Sequence, residues 1–308
     1  MKKVVVLSYG TSREKEVSLL TGQSVLNALL KKGYDAYLVK VTDDVMQLVS
    51  DLKQLAPDVV FNALHGRFGE DGNIQGLLNL MHIPYTHSGV LTSALGMNKF
   101  YTKKIASYAG VPVAPDAMVT LDDLKSGREI LPYPYVIKPV NEGSSIGVYI
   151  IENKTQEDNL IKNWPFAGAS VMMESYIKGR EMTVSMLRER VLCVTEIVPK
   201  TGFYDYTHKY QAGYTDHIVP APIDEQNKQR LFEYTQKMAQ ALGCKGACRC
   251  DFRYDDTDKS RPPHIVFLEI NTQPGMTDLS LLPEAAKYAG ISYENLVCSL
   301  IEDAQCEK

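Results

Sequence analysis

The chain has 308 residues, 44% of them hydrophobic and 23% charged, with a formal net charge of −4 at neutral pH. At roughly 100–200 residues per domain this length suggests two or three domains of an ordinary globular protein. Mild acidity excludes a global basic field for nucleic acid or anionic lipid, and no apolar run approaches the roughly 20 residues of a membrane span.

The opening apolar run ends by Ser8-Tyr9-Gly10, too short for a signal-peptide core of about 7–15 residues, so the cytoplasm is the expected compartment. Residues 2–8 read as a buried strand. The segment Gly10-Thr11-Ser12-Arg13-Glu14-Lys15-Glu16 follows, with Ser12 as a plausible cap for a helix from Val17 to about Lys31. Residues 36–41 and 58–63 are further strands, and their alternation with helices predicts a parallel α/β unit over residues 1–95. His65-Gly66-Arg67-Phe68-Gly69-Glu70-Asp71-Gly72 sits between a strand and the helical residues 74–81, where open α/β sheets carry ligand loops.

A helix over 92–109 leads into a second α/β region, 96–187, with antiparallel strands expected at 135–139, 147–151, 171–174 and 181–187. Lys138 lies inside the apolar run Val136-Ile137-Lys138-Pro139, where a charge needs a partner or a polar cleft. Soon after comes Gly143-Ser144-Ser145-Ile146-Gly147, a small-residue hairpin whose N–H groups could close over phosphate oxygens, although such hairpins are most often plain turns. The common phosphate-loop and dinucleotide fingerprints are absent, so a nucleotide site must be built from other parts.

The third region, 188–308, holds a strand at 191–198, a polar aromatic loop at 200–216, a helix at 225–242 and terminal helices after Pro283. Between them stand two short strands, residues 247–253 and 265–271. Side chains alternate along a strand, so Arg249 and Asp251 share one face and Cys248, Cys250 and Phe252 the other. Glu269 and Asn271 likewise oppose Val266, Leu268 and Ile270. The polar linker between them carries two prolines, as a hairpin connection should. Pairing gathers an Arg, an Asp, a Glu and an Asn on one surface, a set of hard oxygens suited to Mg²⁺, or else an ordinary solvated sheet face. The spacing of Cys244, Cys248 and Cys250 is not a zinc pattern, and the alternation makes Cys248 and Cys250 core residues.

A strand lysine, a Gly-Ser hairpin and remote carboxylates, in that order, resemble the ATP-grasp enzymes. The chain is similar to the D-alanine–D-alanine ligases over essentially its whole length. The matching runs are Glu16-Val17-Ser18-Leu19, the 65–72 segment with Gln75-Gly76-Leu77-Leu78, and residues 83–90 and 93–99. They continue through Val136-Ile137-Lys138-Pro139 with Glu142-Gly143-Ser144-Ser145, and through residues 204–210, 246–251, 268–277 and 280–283. The resemblance implies an ATP-grasp α/β fold, in which an N-terminal parallel domain precedes two α+β lobes that sandwich ATP. It implies that ATP and D-alanine are the substrates, that a homodimer forms, and that neither nucleic acid nor membrane is a partner. Two Mg²⁺ ions, replaceable by Mn²⁺, would sit on Asp251, Glu269 and Asn271. Lys99, Lys138 and Lys209 would bind phosphates under a lid formed by Glu142, Gly143, Ser144 and Ser145, while Glu174, Ser175, Ile177 and Glu181 would hold adenosine.

For the amino acids, the resemblance implies that Glu16 orients the first ammonium in a set with Ser144 and Tyr210. Capping of a helix start is the competing reading of Glu16. Arg249 and the N–H of Gly275 would form the oxyanion pocket, Ser280 and the backbone of Leu281 would hold the second carboxylate, and His65 would lie near the reacting phosphoryl group. Tyr210 favours a dipeptide over a D-lactate ester. Alternatives are another ATP-grasp carboxylate–amine ligase, making a D-alanyl-D-lactate or D-alanyl-D-serine product, or a silent nucleotide binder. Asn98, His87 and Ser175 depart from the family pattern.

Overall fold

A computed structural model describes residues 2–143, 147–166, 170–200, 215–277 and 279–307. Near the N-terminus, β1 (Lys3–Tyr9) lies between β2 (Asp35–Val41) and β3 (Val59–Asn62) in a parallel sheet. Both faces are covered, which explains the continuous apolar run in β1. Val4 and Val6 face α1 (Lys15–Lys31), while Val5 and Leu7 face α2 (Val45–Leu55) and α3 (Asn73–Leu80).

The expected helix over 92–109 is two helices, α4 (Val90–Met97) and α5 (Lys99–Tyr108). Asn98 breaks the run. Its side-chain oxygen accepts from the N–H groups of Phe100 at 3.1 Å and Tyr101 at 3.2 Å, so the departure from the family pattern still provides an N-cap acceptor.

The central sheet has the order β4 (Asp116–Val119), β7 (Val171–Ser175), β5 (Tyr135–Lys138), β6 (Tyr149–Ile151), all antiparallel, with α6 (Leu121–Lys125) and α7 (Lys154–Lys162) over its core. The C-terminal sheet runs β10 (Thr215–Ile218), β9 (Arg190–Pro199), β8 (Arg180–Leu187), β11 (Ala247–Asp255), β12 (His264–Asn271). The segment 181–187, expected with the central lobe, therefore belongs to the C-terminal sheet. A domain boundary after 187 would cut the β8–β9 hairpin, whereas strand pairing divides the lobes between Ser175 and Arg180. Gly179 permits the crossing: its φ is 94°, and a Cβ there would stand 2.3 Å from the carbonyl oxygen of Tyr254.

One face of the C-terminal sheet is apolar and packs on α5 and α8 (Glu225–Leu242). Asp224 caps α8, accepting from the Asn227 N–H at 2.9 Å, and Gly243 ends it in the left-handed region. The helices α9 (Leu281–Tyr288) and α10 (Tyr293–Asp303) return to the N-terminal sheet, where α10 packs against α1. A polar tether also joins the end of β3 to the segment after β12: Asn62 donates to Gln273 Oε1 at 2.7 Å, and Gln273 donates to the carbonyl of Leu64 at 2.5 Å. Among the described residues, no helix is long and apolar enough to cross a membrane.

Candidate active site

The β11–β12 hairpin forms in the register that places Asp251 opposite Glu269 and Arg249 opposite Asn271. Cys248, Cys250 and Phe252 lie beneath, in the core shared with α8, and all six cysteines are free thiols. The expected alternation holds only beyond a bulge in β12. The register shifts after Asp251, so that Phe252 pairs with Phe267 and Arg253 with Val266. Ile265 and Phe267, rather than Val266 and Leu268, join Ile270 on the core face, and Leu268, the extra residue of the bulge, lines the cleft beside Glu269.

Asp251 is buried and heavily bonded. Arg249 binds both its oxygens, Nε to Oδ1 and Nη2 to Oδ2, each at 2.9 Å. Thr183, opposite it on β8, donates to Oδ1 at 2.6 Å. Glu269 meets the ammonium of Lys99 at 2.8 Å, and that ammonium also donates to the carbonyl of Glu142 at 2.7 Å. Asn271 Oδ1 accepts from the N–H of Gln273 at 2.8 Å.

Two cavities meet at Lys99 and Glu269. The first is a slot between the central and C-terminal sheets, with apolar walls from Val136, Val148, Ile177 and Leu268. Lys138, Glu142, Glu174, Ser175, Glu181 and Asp251 line the same slot. Lys138 donates to Glu174 Oε1 at 2.8 Å, and Lys103 reaches the other oxygen. Burial favours the neutral form of Glu174, but Lys138 and then Lys103 outweigh it and hold the carboxyl below its ordinary range. Arg253, which the sequence reading did not single out, fixes the adjoining segment by donating to the carbonyls of Ile177 at 3.1 Å and Gly179 at 2.7 Å.

The second cavity lies under the N-terminal sheet and is lined by Glu14, His65, Glu70, Gly143, Arg249, Asn271, Gly275 and Ser280. Its acid at the helix start is Glu14, whereas Glu16 is exposed in the first turn of α1. The helix begins at Lys15, two residues before the predicted start. Glu14 is therefore still in the N-cap position, its N–H donating to Ser12 Oγ at 3.1 Å, while Ser12 donates to the carbonyl of His65 at 2.6 Å. Glu14 also lies against Gly143, where a Cβ would stand 3.2 Å from its Oε2. Glu14, rather than Glu16, is the acid that lines this cavity.

His65 is buried between Glu70, 3.0 Å from its Nδ1, and the Thr21 hydroxyl, 3.0 Å from its Nε2. Burial opposes an imidazolium there, but the hydrogen bond and charge of Glu70, with Glu14 behind it, raise His65 above its ordinary value. Ser280 Oγ accepts from the Thr277 N–H at 3.0 Å, and a Cβ on Gly275 would come within 2.9 Å of that hydroxyl, so the two residues are closely apposed. Ser144, Ser145, Lys209 and Tyr210 lie outside the described residues.

Among the described residues, no three His, Cys, Asp or Glu side chains cluster to hold a metal. Divalent-ion binding at the hairpin would draw on two carboxylates, one amide and the phosphate oxygens of a ligand, a donor set that fits Mg²⁺.

A slot between two antiparallel sheets, lined by two lysines and by paired carboxylates on a hairpin, defines a ligase of the ATP-grasp class. Residues 105–302 match the model for the D-ala D-ala ligase C-terminus, and residues 46–88 the model for its N-terminus. D-alanine–D-alanine ligases of Acidiphilium cryptum and Paramagnetospirillum magneticum are 49% and 45% identical to it, over 99% of this chain and of each relative. The crystal structure of D-alanine–D-alanine ligase from Bacillus anthracis complexed with ATP superposes with a TM-score of 0.81 at 32% identity, covering 98% of this chain and 96% of that one. The VanG D-Ala:D-Ser ligase of Enterococcus faecalis gives a TM-score of 0.81 at 29% identity, covering 98% of each chain. The chain belongs to the D-alanine–D-alanine ligase family.

Proposed function

We propose that this cleft joins two D-alanines at the expense of ATP, giving D-alanyl-D-alanine, ADP and phosphate for peptidoglycan synthesis. The observation that carries the reading is the shared wall. Lys99 and Glu269 line both the nucleotide slot and the cavity holding Glu14, Arg249, Gly275 and Ser280, so a γ-phosphate in one would face a carboxylate in the other.

In the first step a carboxylate oxygen of one D-alanine attacks the γ-phosphorus and ADP leaves, forming D-alanyl phosphate. In the second, the amine of the other D-alanine attacks the acyl carbon, phosphate leaves with that oxygen, and the amine gives up a proton. Two unit charges about 4 Å apart repel by roughly 4 kcal/mol at an effective dielectric near 20, so the first step needs cations. Lys99 and Lys138 stand at the slot, and family resemblance adds Lys209.

Asp251, Glu269 and Asn271 are proposed to hold two Mg²⁺ ions, with Mn²⁺ able to substitute. The bound ions supply charge neutralisation at phosphate oxygens. Glu14 is placed to hold the first ammonium. Arg249 and the Gly275 N–H would stabilise the oxyanion, an effect worth about 2.7–4 kcal/mol per donor elsewhere. Ser280 and the Leu281 N–H at the start of α9 suit the second carboxylate. Glu174 with the backbone of Ser175 to Ile177 would take adenine, and Glu181 the ribose. Ser144 and Ser145 on the lid would exclude water from the acyl phosphate. A homodimer is proposed on family resemblance.

The test is phosphate release measured across D- and L-alanine, D-serine and D-lactate. Release with D-alanine alone, with D-alanyl-D-alanine as product, is expected. Equal turnover with L-alanine, or preference for D-lactate at neutral pH, would reject the reading.

A further inference from the structure

Lys103 is a buried cation that none of the steps above uses. It lies one turn beyond Lys99 on α5 and has no exposed surface. Its Nζ donates to the carbonyl of Ala114 at 2.9 Å and to Glu174 Oε2, and Asp116 Oδ2 stands 3.5 Å away. Burying an ammonium is costly unless it is paired and hydrogen-bonded, so a purely structural ion pair is the plain reading. Two features go beyond it.

The first is the identity of the partner. Glu174 is the carboxylate that lines the nucleotide slot, and its two oxygens are divided between Lys103 and Lys138. A carboxylate held at both oxygens can neither swing nor take up a proton readily, yet each oxygen keeps a further lone pair for another donor. The second is the path. Helix α5 packs on β12 of the C-terminal sheet, whereas Glu174 and Asp116 stand on β7 and β4 of the central one. Lys103 therefore crosses from one lobe to the other. The i, i+4 spacing sets the backbones of Lys99 and Lys103 about 6 Å apart along the helix axis, the first side chain serving Glu269 and the second Glu174.

We infer that Lys103 is a positioning residue that fixes Glu174 as an acceptor-only group at the end of the slot, and so sets the preference for a 6-aminopurine over a 6-oxopurine nucleotide. An exocyclic N–H finds an acceptor there, whereas a 6-carbonyl oxygen meets an anion. Without Lys103, Glu174 keeps only Lys138, becomes free to turn, and can protonate to donate toward a carbonyl. The inference rests on the proposal that this slot takes ATP.

The experiment compares ATP with inosine triphosphate for the wild type, Lys103→Met and Lys103→Gln, with folding checked by circular dichroism. The wild type is expected to prefer ATP. Lys103→Met is expected to raise the KM for ATP about tenfold, the scale of one charge-assisted hydrogen bond, with kcat and the KM for D-alanine little changed. The KM for inosine triphosphate should stay the same, so the preference collapses. Lys103→Gln, which still donates to Ala114, guards against misfolding of the first variant and should lose preference in the same direction. A folded variant that keeps the wild-type ratio of kcat/KM overturns the role of Lys103, as does failure of both variants to fold. A wild type indifferent between the nucleotides would instead overturn the adenine reading beneath it.

Discussion

The ammonium of Lys99 lies 2.8 Å from the carboxylate of Glu269, although the two residues are 170 positions apart and lie on different elements. One sits at the first residue of α5 and the other near the end of β12, so the contact exists only because α5 packs on the C-terminal sheet. The same ammonium donates to the carbonyl of Glu142. Substituting Lys99→Met removes a charge shared by both cavities. We expect kcat/KM for ATP to fall on the order of 100-fold with little change in thermal stability, measured by coupled ADP release.

Glu14 and Glu16 offer a direct contrast. Glu14 faces the cavity beside Gly143, and Glu16 faces solvent. Glu14→Gln is expected to reduce kcat/KM for D-alanine on the order of 100-fold, since it would no longer fix the ammonium. Glu16→Gln should stay within about twofold in activity and about 0.5 kcal/mol in stability. Steady-state kinetics of the two variants, side by side, decides which acid serves the site.

His87 should make the protein acid-sensitive. It is buried against Phe61, and its Nδ1 has no hydrogen-bond partner among the described residues; burial, with a smaller contribution from His65, lowers its pKa to about 3. The ordinary value near 6.5 applies to the unfolded chain. Between those values the unfolded state takes up a proton that the folded state refuses. This contribution to stability is therefore intact above about pH 6.5 and declines as pH falls toward 3, by up to roughly 1.4 kcal/mol per pH unit. Urea unfolding from pH 7 to 5 should show a shallower loss in His87→Asn than in the wild type. Asn is the natural choice because the residue has a φ of 70°, which Asn tolerates.

Asp251 is expected to govern metal affinity. Chelation should abolish phosphate release, and Mg²⁺ or Mn²⁺ should restore it. Asp251→Asn should raise the Mg²⁺ concentration for half-maximal activity about tenfold, the scale at which changes at a metal site are felt. The substitution also leaves Arg249 without its bidentate anion, so a parallel melting curve is needed to separate the effects.

The parts legible in the sequence were those written in local periodicity. Strict alternation from Cys248 to Phe252 gave away the hairpin, and the helix expected at 225–242 forms over those residues as α8. The Lys138 strand was legible because a charge inside an apolar run must have a partner, which proved to be Glu174. Which acid before α1 turned inward was not legible, because Glu14 and Glu16 differ only in where the first helical turn begins. Nor was the sheet membership of β8, since strand pattern does not name a partner and the crossing depends on the close approach at Gly179. The bulge at Leu268 was equally silent, because it is set by register with Asp251 and Phe252. Lys103, indistinguishable in sequence from a solvated helix lysine, became visible only through its burial.

The central claim is that one substrate's carboxylate is phosphorylated before the peptide bond forms. D-alanine labelled with ¹⁸O in its carboxyl group tests it most directly, with released phosphate read by mass spectrometry. One ¹⁸O atom is expected in each phosphate, carried over when the amine displaces the acyl phosphate. Dipeptide formed alongside phosphate free of label would contradict the account.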